Sequence, residues 1–324
     1  LLTEHYVTLF DSVFLPQGLA LHHSLLEHGG DCVLWVLCLD HSCLQTLRQL
    51  DLPQMRLLDL AELETPELLA VKPGRTRAEY CWTLTPWSIQ WVLEAEPTAL
   101  RVTYLDADVF FLKSPAPIFA EFEASGCGVL ITEHGYAPQY DQTPKSGRYC
   151  IQFLPVVRDL GEPILHWWRD RCIEWCFARF ENGLFGDQKY VEQFASISPG
   201  IVCAIGPDCR FQAPWNCSVF KFSDAVLFHF HGLRMLSRQL VMASGGDYLI
   251  PSPTLAYVYR DYCALLVNCI GLFSLEILPQ ASIPRPMSLR KLRWTRSLRR
   301  RWNLPINPPY WYEQPLGNDS GYFW

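Results

Sequence analysis

Short apolar runs of strand length alternate with helix-like segments over the first half of the chain. The predicted strands are 6–10, 32–39, 56–60, 102–105 and 128–132. The predicted helices are 17–28, 42–50, 78–94 and 160–180. This succession is typical of an α/β fold with a mostly parallel, mixed sheet and helices on both of its faces. Ligands of such sheets bind outside the carboxyl ends of the strands, so we expect the functional site there.

Two aspartates follow one of these apolar runs. Asp106 and Asp108 interrupt a run that begins at Val102 and resumes at Val109. Because residues i and i+2 of a strand project to the same side, the two carboxylates are predicted to point together. Unpaired carboxylates in so apolar a setting are costly, and a hard divalent cation such as Mn²⁺ or Mg²⁺ is their natural counter-charge. The alternative is a pair of solvated aspartates in a turn after the strand.

Two histidines and a glycine end a later apolar run. His229 and His231 have the same i, i+2 spacing as the aspartates, and Gly232 follows them. Neutral imidazole binds metals of the Mn²⁺ class, and glycine lets a backbone approach a phosphate closely. The pattern predicts a functional site, and the alternative is a pair of histidines satisfied within the core.

A third polar cluster, 185–190, lies between apolar segments. Asp187, Gln188 and Lys189 offer acceptors, donors and a positive charge within one turn. The residues alone leave two interpretations open. One is a functional contact, and the other is a solvated helix start in which Asp187 is the N-cap.

Taken in order, the three segments resemble the metal-dependent glycosyltransferases of the GT-A fold, a Rossmann-like architecture. The resemblance is to glycosyltransferase family 8 and to bacterial relatives found with polysaccharide-synthesis genes. That group has a strand ending in Asp-x-Asp, a later His-x-x-Gly and an Asp-Gln between them; here these are 106–108, 229–232 and 187–188. The resemblance runs from about residue 5 to residue 235, and segment 6–11 looks like the family's nucleotide-base pocket.

The resemblance implies transfer of a hexosyl group from a nucleotide-diphosphate sugar, with a UDP-sugar favoured, to a saccharide or lipid-linked acceptor. It favours retention of the anomeric configuration. It implies Mn²⁺ or Mg²⁺ as cofactor with Asp106, Asp108 and His229 as ligands, and Asp187 and Gln188 as catalytic residues facing the sugar and the acceptor. The nucleotide-sugar and its metal would contact Thr8, Phe10, Asp11, Arg77, Asp106, Ala107, Asp108, His231, Gly232 and Arg234.

Three positions depart from the family pattern. Met235 stands where a phosphate-binding lysine is common, and residues 150–152 stand where the family has Asn-x-Gly. Trp82 replaces an arginine, for which Arg75 or Arg77 is the candidate substitute. These departures motivate an alternative: a non-catalytic carbohydrate-binding or scaffold protein on a degenerate GT-A fold.

A haloacid-dehalogenase-like phosphatase is the rival enzyme. Its signature is also an apolar strand followed by Asp-x-Asp-x-Val/Thr, in which Asp106 would be a nucleophile and Asp108 a general acid. That signature normally opens its domain, whereas about a hundred residues of strand–helix pattern precede it here. The His-x-x-Gly segment would also have no role in such an enzyme.

The carboxyl-terminal part has a different charge pattern. Between Arg285 and Arg301 there are eight basic residues and no acidic ones, interleaved with leucines and tryptophans, although the whole chain has a net charge of −6. Such a stretch suits an anionic membrane surface, and the alternative is a solvated or internally paired helix face. Nucleic acid is not an expected partner, because the rest of the chain is strongly acidic. We predict a catalytic GT-A domain over residues 1–235 and a mainly helical, basic extension over 236–324.

The cysteines and the apolar runs predict the location. The 13 cysteines include no C-x-x-C pair and most have apolar neighbours, which indicates free thiols in a reducing cytoplasm. No continuous apolar run reaches the roughly 18 residues that a spanning helix needs, and no signal peptide is recognisable. We therefore expect a cytoplasmic protein in peripheral contact with the inner leaflet of the membrane.

Overall fold

The computed structural model describes residues 3–237, 240–244, 248–251, 254–273, 275 and 311–313. The chain divides into two units, Leu1–His229 and Phe230–Trp324, and each is described by itself. In the part of the chain so described, no helix is both long enough and apolar enough to cross a membrane. The predicted basic segment 285–301 lies outside the described residues.

The described residues of the first unit contain eleven strands, which form two sheets. In chain order they are β1 (Glu4–Phe10), β2 (Cys32–Cys38), β3 (Met55–Asp59), β4 (Arg101–Leu105), β5 (Val109–Phe111), β6 (Val129–Glu133), β7 (Tyr149–Cys150), β8 (Phe153–Val157), β9 (Val202–Ile205), β10 (Phe211–Gln212) and β11 (Leu227–His229). The larger sheet has eight strands in the order β3-β2-β1-β4-β8-β6-β7, and β9 also pairs with β6.

Six strands of the large sheet run in one direction. Strands β3, β2, β1 and β4 are parallel, and β4 is antiparallel to β8. Strand β8 is antiparallel to β6, which is parallel to β9 and antiparallel to β7. The sheet is therefore the mostly parallel mixed sheet that the alternation of apolar runs predicts.

Nine α-helices belong to the described part of the first unit. They are α1 (Leu15–His28), α2 (His41–Leu50), α3 (Leu60–Leu63), α4 (Pro66–Val71), α5 (Arg77–Ala95), α6 (Ala116–Ser125), α7 (Thr143–Ser146), α8 (Glu162–Glu174) and α9 (Phe194–Ile197). Short 3₁₀ helices cover Lys72–Gly74, Pro138–Tyr140, Gln188–Gln193 and Phe222–Asp224.

The helix ends follow from side chains in the sequence. Asp40 caps α2 by accepting a hydrogen bond from the N–H of Cys43 at 2.7 Å. Thr76 and Glu79 form a reciprocal capping box at the start of α5. Helix α8 is shorter than the predicted helix 160–180, because the backbone becomes extended at Trp175.

Helix α5 covers the centre of the large sheet. Its side chains Leu84, Trp87 and Trp91 are buried in the same apolar cluster as Val7 of β1 and Tyr104 of β4. Burial of a large apolar side chain contributes roughly 1.5–3 kcal/mol, so this face of α5 is a main source of stability. It also fixes α5 against β1 and β4, the two strands that precede Asp11 and Asp106.

The small sheet of the first unit has the order β10-β11-β5. Strand β11 is parallel to β10 and antiparallel to β5, with His229 opposite Val109. The chain therefore leaves the large sheet after β4 and enters the small sheet within three residues, and this transition holds both predicted aspartates.

The second unit combines a small sheet with a helix. Strands β12 (Arg234–Ser237), β13 (Leu240–Met242) and β14 (Trp311–Glu313) pair in that order and are antiparallel. A π-helical turn, Leu255–Tyr259, leads into α10 (Arg260–Leu272), and Phe230 stacks on Tyr262 with ring centroids 3.6 Å apart. This sheet was not expected from the mainly helical prediction for 236–324, and the predicted domain boundary after residue 235 stays a prediction.

Candidate functional site

Asp106 and Asp108 lie in a tight turn between β4 and β5. The N–H of Val109 donates to the carbonyl of Asp106 at 3.2 Å, which closes the turn. The two carboxylates do point together as predicted, but a turn brings them together rather than strand alternation, because the pairing of β5 with β11 bends the chain at this point. The turn is nevertheless not an open, solvated one: the side chains of Asp106 and Asp108 are 26% and 15% exposed.

His229 completes a cluster with the two aspartates. Because β11 ends opposite the first residue of β5, its imidazole lies beside the turn. Nε2 of His229 is 3.0 Å from Oδ1 of Asp108 and 3.7 Å from Oδ2 of Asp106. One ligand atom from each of the three residues lies within 4.8 Å of the other two. The structure thus brings together the three residues that the sequence analysis selects as metal ligands.

The charges of the cluster depend on one another. Burial lowers the pKa of His229, but the carboxylates of Asp108 and Asp106 outweigh this and raise it well above its ordinary value. Burial raises the pKa of Asp106. The charge of His229 lowers this pKa, and the charge of Asp108 raises it. Two carboxylates face one imidazole, so even a protonated imidazole leaves one negative charge of the cluster unbalanced. Two hard oxygen donors and one imidazole nitrogen fit Mn²⁺ or Mg²⁺.

Residues around the cluster hold its side chains in place. Oε1 of Gln152 lies 2.9 Å from Nδ1 of His229, and the hydroxyl of Tyr104 donates to Oδ1 of Asp106 at 3.1 Å. The ring of Trp215 meets that of His229 edge-on, with centroids 5.3 Å apart. These contacts are not among the features predicted from the sequence. Two signals were available: Tyr104 is two residues before Asp106, and Gln152 is a polar residue within an apolar run.

Asp187 is a buried residue directly before the 3₁₀ helix Gln188–Gln193. It is 2% exposed, and its Oδ2 has no hydrogen-bond partner among the described residues. Burial raises the pKa of Asp187 to about 8, a hydrogen bond from Thr85 of α5 opposes the rise, and Asp106 adds to it. Asp187 lies at the N-cap position of the 3₁₀ helix that follows, but its side chain makes no capping hydrogen bond and is buried rather than solvated. Its carboxyl group is protonated in most molecules at neutral pH.

The loop before Asp187 packs on α5. The rings of Trp82 and Phe185 have centroids 6.1 Å apart. Gly186 has a φ of +54°, and a Cβ there would lie 3.2 Å from Cε3 of Trp82. The side chain of Gln188 donates from Nε2 to the carbonyl of Ser146 at 2.7 Å, which ties it to α7. Trp82 thus stands beside the predicted sugar-facing loop.

The predicted base-pocket residues follow β1. Asp11 accepts hydrogen bonds from the N–H groups of Val13 and Phe14 and pairs with Arg77 at 2.5 Å. Thr8 is fully buried and Phe10 is 2% exposed, so neither is an accessible side chain. Arg75, the other candidate substitute for the family's arginine, donates to Thr83 and to the carbonyl of Ile173. Neither partner is a predicted base-pocket residue.

One cysteine connects the two halves of the predicted site. The pKa of Cys81 on α5 is raised to about 12, mainly by burial and also by the carboxylates of Asp11 and Asp187, while Arg77 opposes the rise. Both carboxylates are therefore near the same side chain. Asp187 is likewise near enough to Asp106 for their charges to interact. Within the first unit, Asp11 follows β1 and Asp106 follows β4, so the base-pocket and metal residues lie at the carboxyl ends of these neighbouring parallel strands.

The remaining predicted residues belong to the second unit. His231 is exposed and meets Tyr248 edge-on, and Arg234 donates to the carbonyl of Leu233 at 2.7 Å. Gly232 has a φ of +79°, and a Cβ there would lie 3.3 Å from the backbone of Ser244. Glycine is therefore required at this position by its conformation.

Comparison with solved structures defines the fold. The crystal structure of the galactosyltransferase LgtC in complex with donor and acceptor sugar analogues matches with a TM-score of 0.50 at 13% sequence identity. The match covers 85% of this chain and 98% of that chain. The GT-A fold predicted from the sequence is confirmed.

Sequence comparison defines the family. No family model matches the chain. The uncharacterized protein YfnF of Bacillus subtilis (strain 168) is 31% identical over 256 residues, which are 73% of this chain and 84% of YfnF. The uncharacterized protein YfnD of the same organism is 30% identical over 281 residues, which are 80% of this chain and 88% of YfnD. The chain belongs to the family of YfnF and YfnD.

Proposed function

We propose that this protein is a glycosyltransferase related to family 8. It moves a hexosyl group from a nucleotide-diphosphate sugar, with a UDP-sugar favoured, to a saccharide or lipid-linked acceptor in polysaccharide biosynthesis. The observation that carries the proposal is the cluster of Asp106, Asp108 and His229 at the end of β4 in a GT-A fold. The similarity to LgtC, whose structure contains donor and acceptor sugar analogues, agrees with it.

Asp106, Asp108 and His229 would hold Mn²⁺ or Mg²⁺. When bound, the ion supplies positive charge to the two phosphates of the leaving nucleoside diphosphate. The chain's own residues prepare this place: Tyr104 orients the carboxylate of Asp106, and Gln152 orients the imidazole of His229. Asp11 and Arg77, which already form an ion pair beyond β1, would face the nucleotide.

Asp187 supports a retaining reaction. An inverting enzyme needs a general base that removes the proton of the acceptor hydroxyl. A carboxyl group with a pKa of about 8 is protonated in most molecules at neutral pH, so Asp187 is a poor base there and a good hydrogen-bond donor. We propose that it donates to the transferred sugar, and that Gln188 lies beside it toward the acceptor.

Nucleotide binding tests the metal assignment. Isothermal titration should show binding of UDP or GDP that requires Mn²⁺ or Mg²⁺ and disappears with EDTA. Asp106→Asn and Asp108→Asn should both lose this metal-dependent binding. Asp224→Asn, which changes an exposed aspartate in the same unit, is the matched control and should bind as the unchanged protein does. Nucleotide binding that is indifferent to EDTA would contradict the ligand assignment.

A panel of sugar nucleotides tests the reaction and names the donor. Hydrolysis or transfer with one donor supports the glycosyltransferase. Release of inorganic phosphate from simple phosphate esters, blocked by beryllium fluoride, would support the phosphatase instead. The fold argues against that enzyme, since Asp106 follows the fourth strand rather than the first. Tight metal-dependent binding of a donor with neither hydrolysis nor transfer would support a carbohydrate-binding or scaffold protein.

Segment 285–301 supports a proposal about location. Its eight basic residues would give reversible contact with an anionic leaflet on the cytoplasmic side, near a lipid-linked acceptor. Vesicles of phosphatidylglycerol should co-sediment with the protein, neutral vesicles should not, and high salt should reverse the binding. Equal binding by a chain truncated before Arg285 would show that this segment makes no membrane contact.

A further inference from the structure

Gln152 contacts both parts of the chain that carry the metal-ligand candidates. It lies between β7 and β8, and it is 1% exposed. Its backbone carbonyl accepts a hydrogen bond from the N–H of Asp106 at 3.4 Å. Its side-chain Oε1 lies 2.9 Å from Nδ1 of His229. One buried residue therefore connects the turn after β4 with the end of β11.

The contact between Gln152 and Nδ1 of His229 affects which nitrogen of the imidazole carries the proton. A neutral imidazole carries its single proton on one nitrogen and offers a lone pair on the other. An oxygen next to Nδ1 of His229 holds the proton there, which leaves Nε2 as the nitrogen with the lone pair. Nε2 is the atom that lies 3.0 Å from Asp108 and 3.7 Å from Asp106. When the imidazole gives up its Nε2 proton to a metal ion, the oxygen of Gln152 thus selects the tautomer in which Nε2 carries the lone pair.

The neighbours of His229 do not replace this function. The thiol of Cys150 also hydrogen-bonds with His229, but sulfur is a weak acceptor. Trp215 contacts the imidazole through ring packing, which limits rotation but does not choose a tautomer. The amide of Gln152 is a strong, neutral acceptor, so it orients the ring without adding a third negative charge beside the two aspartates.

We infer that Gln152 is a positioning residue of the metal site: it holds His229 in the tautomer and orientation in which Nε2 can bind the ion. This inference rests on the proposed function, because it takes Asp106, Asp108 and His229 as metal ligands. A partner that orients a ligating histidine typically changes metal affinity 10- to 100-fold. Gln152 should therefore act on metal affinity and not on metal-independent binding.

Four variants separate this role from simple packing. Gln152→Met keeps the length of the side chain and removes the acceptor, whereas Gln152→Glu keeps an acceptor oxygen. Gln212→Met is the matched control: Gln212 is 0% exposed in β10, next to β11, but its amide donates to the carbonyls of Cys209 and Lys221. Cys150→Ala removes the weak contact to His229.

The measurement is Mn²⁺ affinity in the presence of UDP, from the electron paramagnetic resonance signal of the free ion. We expect Gln152→Met to raise the Kd for Mn²⁺ about 10- to 100-fold. Gln152→Glu should restore affinity to within a few-fold of the unchanged protein, and Gln212→Met and Cys150→Ala should leave it nearly unchanged. Urea unfolding of each variant, measured in the same buffer, shows whether the variant is folded when its Mn²⁺ affinity is measured.

Two results would overturn the inference, and they differ from a failure of the proposed function. Mn²⁺ affinity of Gln152→Met equal to that of the unchanged protein would refute the positioning role alone. An equal loss in Gln212→Met would mean that loosening of the small sheet, not the lost acceptor, causes the effect. If the unchanged protein binds no Mn²⁺ at all, the metal assignment and the inference both fail.

Discussion

Nε2 of His229 lies 3.0 Å from Oδ1 of Asp108, and the antiparallel pairing of β11 with β5 places it there. In the protein without metal this contact is an ion pair, because the neighbouring carboxylates raise the pKa of His229 well above its ordinary value. A metal ion needs the same Nε2 in its unprotonated form. Protons and metal therefore compete for one atom of the site.

Metal binding should release the proton of His229. Because the pKa of His229 is raised well above 6.5, the imidazole is protonated at neutral pH, and Mn²⁺ must displace this proton. Mn²⁺ affinity should then rise up to about tenfold per pH unit while His229 remains protonated in the metal-free protein. Calorimetric titration in buffers with different ionisation enthalpies counts the released proton. A Mn²⁺ affinity that does not change with pH around neutrality would contradict the ion pair between His229 and Asp108.

The two histidines of the motif should differ in their effect. His229→Ala removes the imidazole that lies between Asp106 and Asp108, so it should weaken Mn²⁺ binding more than about 100-fold and lose metal-dependent UDP binding with it. His231→Ala should weaken Mn²⁺ binding about 10- to 100-fold at most. Calorimetry with Mn²⁺ and UDP compares the variants. A larger loss of Mn²⁺ affinity in His231→Ala would show that His231 is the ligand.

The protonation of Asp187 should appear as pH-dependent stability. The pKa of Asp187 is about 8 in the folded protein, whereas the reference pKa of an aspartate, taken for the unfolded chain, is 3.8. Between these values the folded state binds a proton that the unfolded state does not bind, so the free energy of unfolding falls as pH rises. Asp187→Asn cannot titrate and should lose this contribution, which is on the order of several kcal/mol over the whole window.

Urea unfolding in EDTA at about pH 5 and about pH 8 measures this effect. The free energy of unfolding of Asp187→Asn, relative to the unchanged protein, should be higher at the upper pH than at the lower one. Asp224→Asn is the control, because this exposed side chain should give a pH profile parallel to that of the unchanged protein. Parallel profiles for Asp187→Asn as well would mean that Asp187 is ionised in the folded state.

The sequence predicts the large sheet well because its strands are local apolar runs with helices between them. Strand β1 is Glu4–Phe10 against a predicted 6–10, and α5 is Arg77–Ala95 against a predicted 78–94. The turn at Asp106 is different, since it exists because β5 pairs with β11, more than a hundred residues later in the chain. Local periodicity contains no information about that pairing.

The candidate site shows the same division. The three metal-ligand candidates are recognisable by residue type and order, but the residues that orient them are not. Gln152 reaches His229 only because β8 lies beside β4 and β11 lies beside β5. The burial of Asp187 likewise depends on α5, whose Thr85 lies next to it. Contacts between elements that are distant in sequence set the tautomer of His229 and the pKa of Asp187. The sequence pattern shows only which residue types could serve as ligands.

Two glycines before Asp187 allow a test of how tightly the sugar-facing loop is built. Gly183 and Gly186 both have positive φ, +78° and +54°, so alanine is strained at either position. A Cβ at Gly183 would meet nothing within 4 Å, whereas one at Gly186 would lie 3.2 Å from Cε3 of Trp82. Gly183→Ala should therefore cost about 1–2 kcal/mol of stability from backbone strain alone. Gly186→Ala should cost more, because Trp82 must also move.

Urea unfolding of the two variants, with the donor KM for sugar-nucleotide hydrolysis, separates these effects. Gly183→Ala should lower stability and leave the donor KM near that of the unchanged protein. Gly186→Ala should lower stability further and raise the donor KM, since displacement of Trp82 shifts the loop that carries Asp187. In the Trp82→Ala background, Gly186→Ala should cost only about as much stability as Gly183→Ala does in the unchanged protein, because the crowding is gone. Equal losses in Gly183→Ala and Gly186→Ala, with the same KM, would show that Trp82 does not constrain this loop.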